Sequence, residues 1–425
     1  MSTTHEKRRR QRKPSLGAKQ TAAPAKKTAS PEPDLRAAEK LALALLAIPG
    51  RSGEEAGVRR FIVDALRRAG AAASAIRGDQ AHRQTPLAGE VGNLVFRLPG
   101  TLRGPRRMLM AHMDTVPLCV GSKPVVKGQF VHAASPRTGL GADDRAGCAV
   151  VLTAALEILR RRLPHPPLTF LWLVQEEVGL YGARHANKSL LGQPKLAFNW
   201  DGGSAEKLTI GATGAFRLEI AIEGIASHAG GAPEQGVSAI TIAGLAIADL
   251  QRDGWLGDVR KGDERGTSNI GVIHGGAATN VVTDRVELKA EARSHNPIFR
   301  RAILEAIAQA FRTAAGAVCN IVGASGKVTI DSRQDYESFR LSEDEPCVRA
   351  AAAAVRSTGG EPFTFVSNGG LDANWLTARG IPTVTLGCGQ LHVHTVSEQL
   401  DLVEFRRACR IALRLATGTE ERPSE

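Results

Sequence analysis

The run Met108-Leu-Met-Ala-His112-Met-Asp114-Thr115-Val116 decides how the chain is read, because an apolar stretch the length of a buried strand ends on a histidine and, two residues on, a carboxylate. The same arrangement recurs. Gly141-Ala-Asp143-Asp144 follows some thirty residues later, Gln175-Glu176-Glu177 closes the apolar run 168–174, Asp201 closes 196–200, and His392-Val-His394 comes after 382–386. In an open α/β sheet, ligands bind beyond the carboxyl ends of the strands, so these strand ends would bring carboxylates and imidazoles into one crevice. Nitrogen and oxygen donors of that kind suit zinc, manganese or cobalt.

Composition narrows the setting. A chain of 425 residues exceeds the size at which a single core stops growing, so two domains are expected. The net charge of +12 suggests polyanions, yet residues 1–34 alone carry nine Lys/Arg against three Asp/Glu, and the remainder is only mildly basic. Nucleic acid is therefore not expected as a partner beyond weak, nonspecific contacts of the tail. The six cysteines are scattered without a C-x-x-C pair, which argues against a disulfide framework and for the cytoplasm. The longest apolar run, 41–48, falls far short of the roughly 20 residues that a membrane span needs. Arg8-Arg9-Arg10 leads into a polar, Pro-rich stretch rather than an export signal.

Taken in order, residues 1–33 lack aromatics and read as a disordered basic tail. Asp34 caps a helix to 48, and Ser52-x-x-Glu55 has the form of a capping box opening a helix to 69. Strands at 92–98, 106–111, 168–174 and 196–200 alternate with helices at 145–162 and 181–191, the pattern of a mostly parallel sheet with helices on both faces. After Gly211-Ala-Thr-Gly214 the pattern changes: strand 216–222, helix 236–251, strands 268–274 and 284–293, helix 297–317 and strand 326–331 make a βαββαβ unit. Helices at 343–357, 371–379 and 402–416 and the strand 382–386 then resume the first pattern. The expectation is an α/β catalytic domain over 34–211 and 335–418, with a ferredoxin-like α+β domain, 212–334, inserted as a lid and dimerisation surface.

Taken singly, a strand-end histidine or acid is more often a turn or cap than a ligand. Convergence changes that reading, because adjacent acids such as Glu176-Glu177 repel each other on burial unless cations accompany them. Two metals sharing a carboxylate could then hold a hydroxide between them. His112-Met-Asp114-Thr-Val, Gly141-Ala-Asp143-Asp144, Glu176-Glu177, Asp201 and His394-Thr-Val-Ser-Glu398, in this order, resemble the co-catalytic zinc exopeptidases. Ala226-Ser-His228-Ala-Gly, Thr279-Asn280 and Glu291-Ala-Arg293-Ser294 resemble the peptidase T-like branch of that family, which is related to glutamate carboxypeptidase and succinyl-diaminopimelate desuccinylase.

The resemblance implies two divalent metals, zinc first, with cobalt or manganese as alternatives. His112 and Asp201 would hold one, Glu177 and His394 the other, and Asp143 would bridge both. Glu176 would be the general base and Asp114 would orient His112, while a cis peptide would join Asp143 to Asp144. His392 competes with His394, and the H-x-x-x-E pattern favours His394. In the lid, His228 would stabilise an oxyanion, Arg293 would fork a substrate carboxylate and Asn280 would line the cleft. The expected function is hydrolysis of a terminal amide of a short peptide. An amidase or deacylase of N-acyl amino acids is the first rival, and a non-catalytic binding protein the second.

Overall fold

The computed structural model describes residues 1–4 and 31–420, so the expectation of a disordered tail over 5–30 lies outside the described residues. Its last residues depart from that expectation. The Glu32 carboxylate pairs with Arg410 and Arg414 at 2.8 and 2.9 Å and its carbonyl accepts from Arg161, so the fold begins two residues before Asp34. Asp34 caps the helix Leu35–Leu46 as expected, its side chain accepting from the Ala37 amide.

The larger sheet has nine strands. Its centre is four parallel strands in the spatial order Leu168–Leu173, Arg107–His112, Leu196–Trp200 and Thr383–Leu386. Antiparallel strands flank them, with Leu94–Leu98 and Ile76–Gly78 on one side and Lys207–Ala212 and Phe339–Arg340 on the other. The centre is parallel because each connection between its strands crosses over through a helix. Helix Ala142–Arg161 is buried on every side from Ala146 to Ile158 and apolar there except at Thr153 and Glu157, and a helix of that composition is stable only when covered all round. It lies against the sheet between Leu35–Leu46 and Leu402–Thr417. Strands Lys207–Ala212 and Phe363–Ser367, and a small four-stranded sheet built from segments at 124–133 and 390–401, were not expected from the sequence.

A second hydrophobic core forms within 216–315. Its five antiparallel strands run in the order Gly257–Lys261, Glu264–Gly275, Arg285–Ser294, Gly214–Glu223 and Lys327–Tyr336, covered by helices Ala239–Arg252 and Pro297–Ala317. Four of these strands and both helices are the expected βαββαβ unit. Gly257–Lys261 is an addition, a hairpin partner turned at Gly262.

The chain leaves the larger sheet after Ala212 and re-enters it at Phe339, so two short linkers join the units. One side chain ties them together. Asn374 Nδ2 donates to the Thr213 carbonyl at 2.9 Å and to the Glu337 carbonyl at 2.7 Å, while its Oδ1 accepts from the Leu371 amide. Beside it, a Cβ at Gly214 would overlap the Arg300 guanidinium, which pairs with Glu337. Replacing Asn374 with Ala removes the donor from both carbonyls, and an unsatisfied buried carbonyl costs about 1–3 kcal/mol. Asn374→Ala should therefore lower the unfolding free energy read from urea titrations by at least that much, and an unchanged value would show that the linkers do not depend on it.

Candidate metal centre

The four parallel strands all end at one edge, and the chemistry collects there. His112 is the last residue of its strand and is buried. After Leu173 the chain turns sharply, with Gln175 in the left-handed region at φ 54°, which brings Glu176 and Glu177 across the strand ends. Asp201 follows Trp200, its amide tied to the Leu386 carbonyl. His394, also left-handed at φ 63°, reaches back from the loop beyond Leu386. Non-glycine residues in that region are uncommon and concentrate where a site over-determines them.

Asp143 stands at the middle. Its Oδ1 lies 3.1 Å from His112 Nε2 and its Oδ2 lies 3.2 Å from His394 Nε2, while His394 Nε2 is 2.9 Å from Glu177 Oε2. Two sets of donor atoms result, His112-Asp143-Asp201 and Asp143-Glu177-His394, each within 4.8 Å. These are the two groupings that the sequence motifs implied. His392 stays outside, its ring exposed and without a partner among the described residues, and it is His394 that lies with Asp143 and Glu177. A cis peptide joins Asp143 to Asp144.

A second layer holds these donors. The Asp114 carboxylate accepts from Ser52 Oγ at 2.7 Å and from the Glu176 and Glu177 amides at 3.0 and 3.2 Å. It lies 3.4 Å from His112 Nδ1, which also meets the Asp114 carbonyl at 3.2 Å. Asp114 thus positions one histidine and two acids at once. Ser52 and Glu55 were expected to form a capping box, and they do not. Ser52 donates to Asp114, and Glu55 accepts from the Gly53 and Gln175 amides, so both support the turn that carries Glu176. Glu398 accepts from the Gly141 and Asp143 amides at 2.7 and 3.0 Å, and Asp144 accepts from the His112 amide and from Gln390 Nε2. Within this cluster the carboxylates of Glu176, Asp201 and the buried Asp372 accept no hydrogen bond from a protein group among the described residues.

So many acids in one place raise their own proton affinities. Burial, and then the Asp143 charge, pushes Asp201 up to about 6, and burial pushes Glu177 up to about 7 against the pull of His394. Asp372 is pushed up to about 8, by burial first and then by Asp114 and Asp201 against the pull of His112. Hydrogen bonds to Asp143 and Glu177 raise His394 to about 10. Protons are here doing what cations would do. The donors fit a pair of divalent ions: imidazole and carboxylate only, one carboxylate shared, and more buried negative charge than the protein itself neutralises.

The three residues expected in a lid are placed apart from this cluster. Among the described residues, none of His228, Asn280 and Arg293 makes a hydrogen bond or ion pair to it. His228 and Asn280 are exposed neighbours, the Ala229 amide donating to the Asn280 carbonyl at 2.9 Å. His228 Nδ1 accepts from the Gly230 and Gly231 amides at 3.1 and 2.9 Å, so the neutral ring carries its hydrogen on Nε2, facing away from that turn. Arg293 is already forked to Glu291, through Nε and Nη2 at 3.0 Å each.

The profile of Peptidase family M20/M25/M40 matches residues 108–418. The chain belongs to that family. It is 34% identical over 315 residues to the uncharacterized protein YqjE of Bacillus subtilis strain 168, covering 74% of this chain and 81% of that protein. A tripeptidase from Staphylococcus aureus has the same fold, with a TM-score of 0.81 at 30% identity, over 92% of this chain and all of that one. The aminopeptidase PepT from Bacillus cereus ATCC 10987 follows with a TM-score of 0.77 at 30% identity, over 92% and 99%. These likenesses make the chain a peptidase T-like member of the M20 family. No helix among the described residues is long and apolar enough to cross a membrane.

The M20 centre should make the metal-free protein sensitive to pH. Asp201, Glu177 and Asp372 hold protons more tightly folded than unfolded, so each adds a penalty as pH rises from about 4 towards 6, 7 and 8. His394 contributes stability below its ordinary value of 6.5 and loses it as pH rises to about 10. The signs agree. Chelated protein should melt at progressively lower temperature from pH 5 to pH 9, and added zinc should flatten the curve. A melting temperature that rises over this range without metal would contradict the assignment.

Proposed function

We propose that the chain is a dinuclear metal-dependent exopeptidase acting on a terminal amide of short peptides, on the observation that two three-donor sets share Asp143. The fold neighbours described as a tripeptidase and an aminopeptidase support the peptide reading. Zinc is the ion we assign, with cobalt and manganese able to serve. A bound metal pair would polarise the scissile carbonyl and acidify a water. His112 and Asp201 hold one position, Glu177 and His394 the other, and Asp143 spans them.

Glu176 takes the proton from the attacking water and returns it to the leaving amine. It suits that role because its carboxylate has no protein partner among the described residues and burial raises its proton affinity. Asp114 keeps His112 turned inwards and sets the backbone on which Glu176 stands. His228, with its hydrogen fixed on Nε2, is the donor we assign to the oxyanion, and Asn280 lines the cleft beside it. Delivering them is the task of residues 212–334, which we take as a lid and as the surface for a second copy. We place the enzyme in the cytoplasm.

Arg293 is engaged by Glu291, so a substrate carboxylate would have to share or displace that partner. Steady-state kinetics on free-acid and C-terminally amidated peptides test whether it reads a carboxylate. Arg293→Ala should raise KM about tenfold or more for free acids and hardly alter amides, as loss of one charged hydrogen bond worth about 1.5–3 kcal/mol implies. Equal weakening of both would show that Arg293 reads no carboxylate.

The adjacent acids give the sharper test. Glu176→Gln should keep two metals per chain and lose at least about a hundredfold in kcat, whereas Glu177→Gln should lose metal as well. Metal analysis beside turnover reads this directly, and full turnover after chelation would remove the mechanism.

A further inference from the structure

A cleft of about 850 Å³ lies away from the metal centre and is lined by arginines. Strand register places them together. Arg77 pairs with Val95, and Arg97 pairs with Thr169, so Arg77, Arg97 and Thr169 project from one face of the larger sheet. Arg106 precedes the strand Arg107–His112 and reaches the same face, donating to the Leu98 and Leu168 carbonyls and to Thr169 Oγ1. An atom in the Cβ position of Gly192 would lie 3.0 Å from both Arg106 Nε and Arg97 Cζ, so these two guanidiniums converge on one point.

No acid answers them. Asp79 is the one carboxylate lining the cleft, and both its oxygens are taken: Oδ1 by the Ala81 and Asn93 amides, Oδ2 by Asn93 Nδ2 and the Asn187 amide. Among the described residues Arg77 and Arg97 make no ion pair and donate no side-chain hydrogen bond, and Arg106 meets only neutral oxygens. Burial and the charge of Arg97 both act against the charged form of Arg106. Like charges gathered on a half-buried face repel unless a counter-ion sits between them, and the guanidinium fork matches the oxygens of a phosphoryl group. His185, Gln84 and Asn187 add polar groups to the walls.

We propose that this cleft is a binding site for a small molecule bearing a phosphoryl or pyrophosphoryl group. A bare ion would not fill it, since clefts of this size hold whole small molecules. The site is distinct from the substrate cleft. Arg106 and His112 bracket the strand Arg107–His112, and at about 3.3 Å per residue some 20 Å separates their positions.

The test is calorimetric titration of the metal-loaded, full-length protein with pyrophosphate, AMP, inorganic phosphate and citrate at constant ionic strength. Wild-type protein should bind pyrophosphate or AMP saturably, and Arg77→Gln/Arg97→Gln should weaken that binding at least tenfold while keeping the melting temperature and peptide turnover. Binding that persists in the double variant belongs to the metals or another surface and overturns the proposal. Absence of binding by all four also overturns it, and citrate binding as tightly as pyrophosphate would overturn the phosphoryl preference. Should the double variant unfold, Arg97→Lys serves, since it retains charge but loses the fork and should still weaken binding severalfold.

Discussion

A single carboxylate, Asp143, faces two histidines that arrive from opposite ends of the chain, and most of the larger unit is arranged to hold it there. Its two oxygens point at His112 and His394, residues 282 positions apart in sequence. Its amide is held by Glu398, only four residues beyond His394. The neighbouring Asp144 turns inwards to bind the His112 amide. The chain therefore secures this carboxylate from both sides, and the long buried helix that begins at Ala142 anchors it to the core. Parallel strands make this possible, because they alone deliver several chain segments to one edge with their ends aligned.

The elements most visible in the sequence were those whose pattern has a local cause. Four largely apolar runs became the four central strands, and His112, Glu176, Glu177 and Asp201 that follow them came to rest at the same edge. The βαββαβ order of the second unit could be read because its strands alternate and its helices carry caps, as Asn296 and Ser238 do. Lys207–Ala212 and Phe363–Ser367 escaped notice because they are short and owe their strand conformation to each other, across about 150 intervening residues. Gly257–Lys261 is half charged, and only its pairing with the next strand makes it extended.

Ser52 and Glu55 show the limit most clearly. Their spacing satisfies a helix-capping pattern, and local reasoning assigns them to it. Tertiary structure gives their oxygens better partners, the Asp114 carboxylate and the Gln175 amide, more than sixty and a hundred residues away. The second layer around the metal centre is illegible for the same reason. A ligand announces itself by following a strand, whereas the groups that steady it follow nothing. Asp372, buried with both oxygens unpartnered among the described residues, follows no apolar run and so was not read as part of the site.

The tie at Asn374 also sets how distances in the second unit would scale. Ser294 pairs with Gly214 at the linker, whereas Arg285 pairs with Glu223 at the far end of the same two strands. Over those ten residues the strand extends about 30 Å. Any rotation of the unit about its tethered corner leaves Arg293 almost in place and carries His228 and Asn280, beyond the far end, through the longest arc. On the roles proposed for them, Arg293 and His228 would thus be mechanically unequal, the first close to a pivot and the second at the end of a lever.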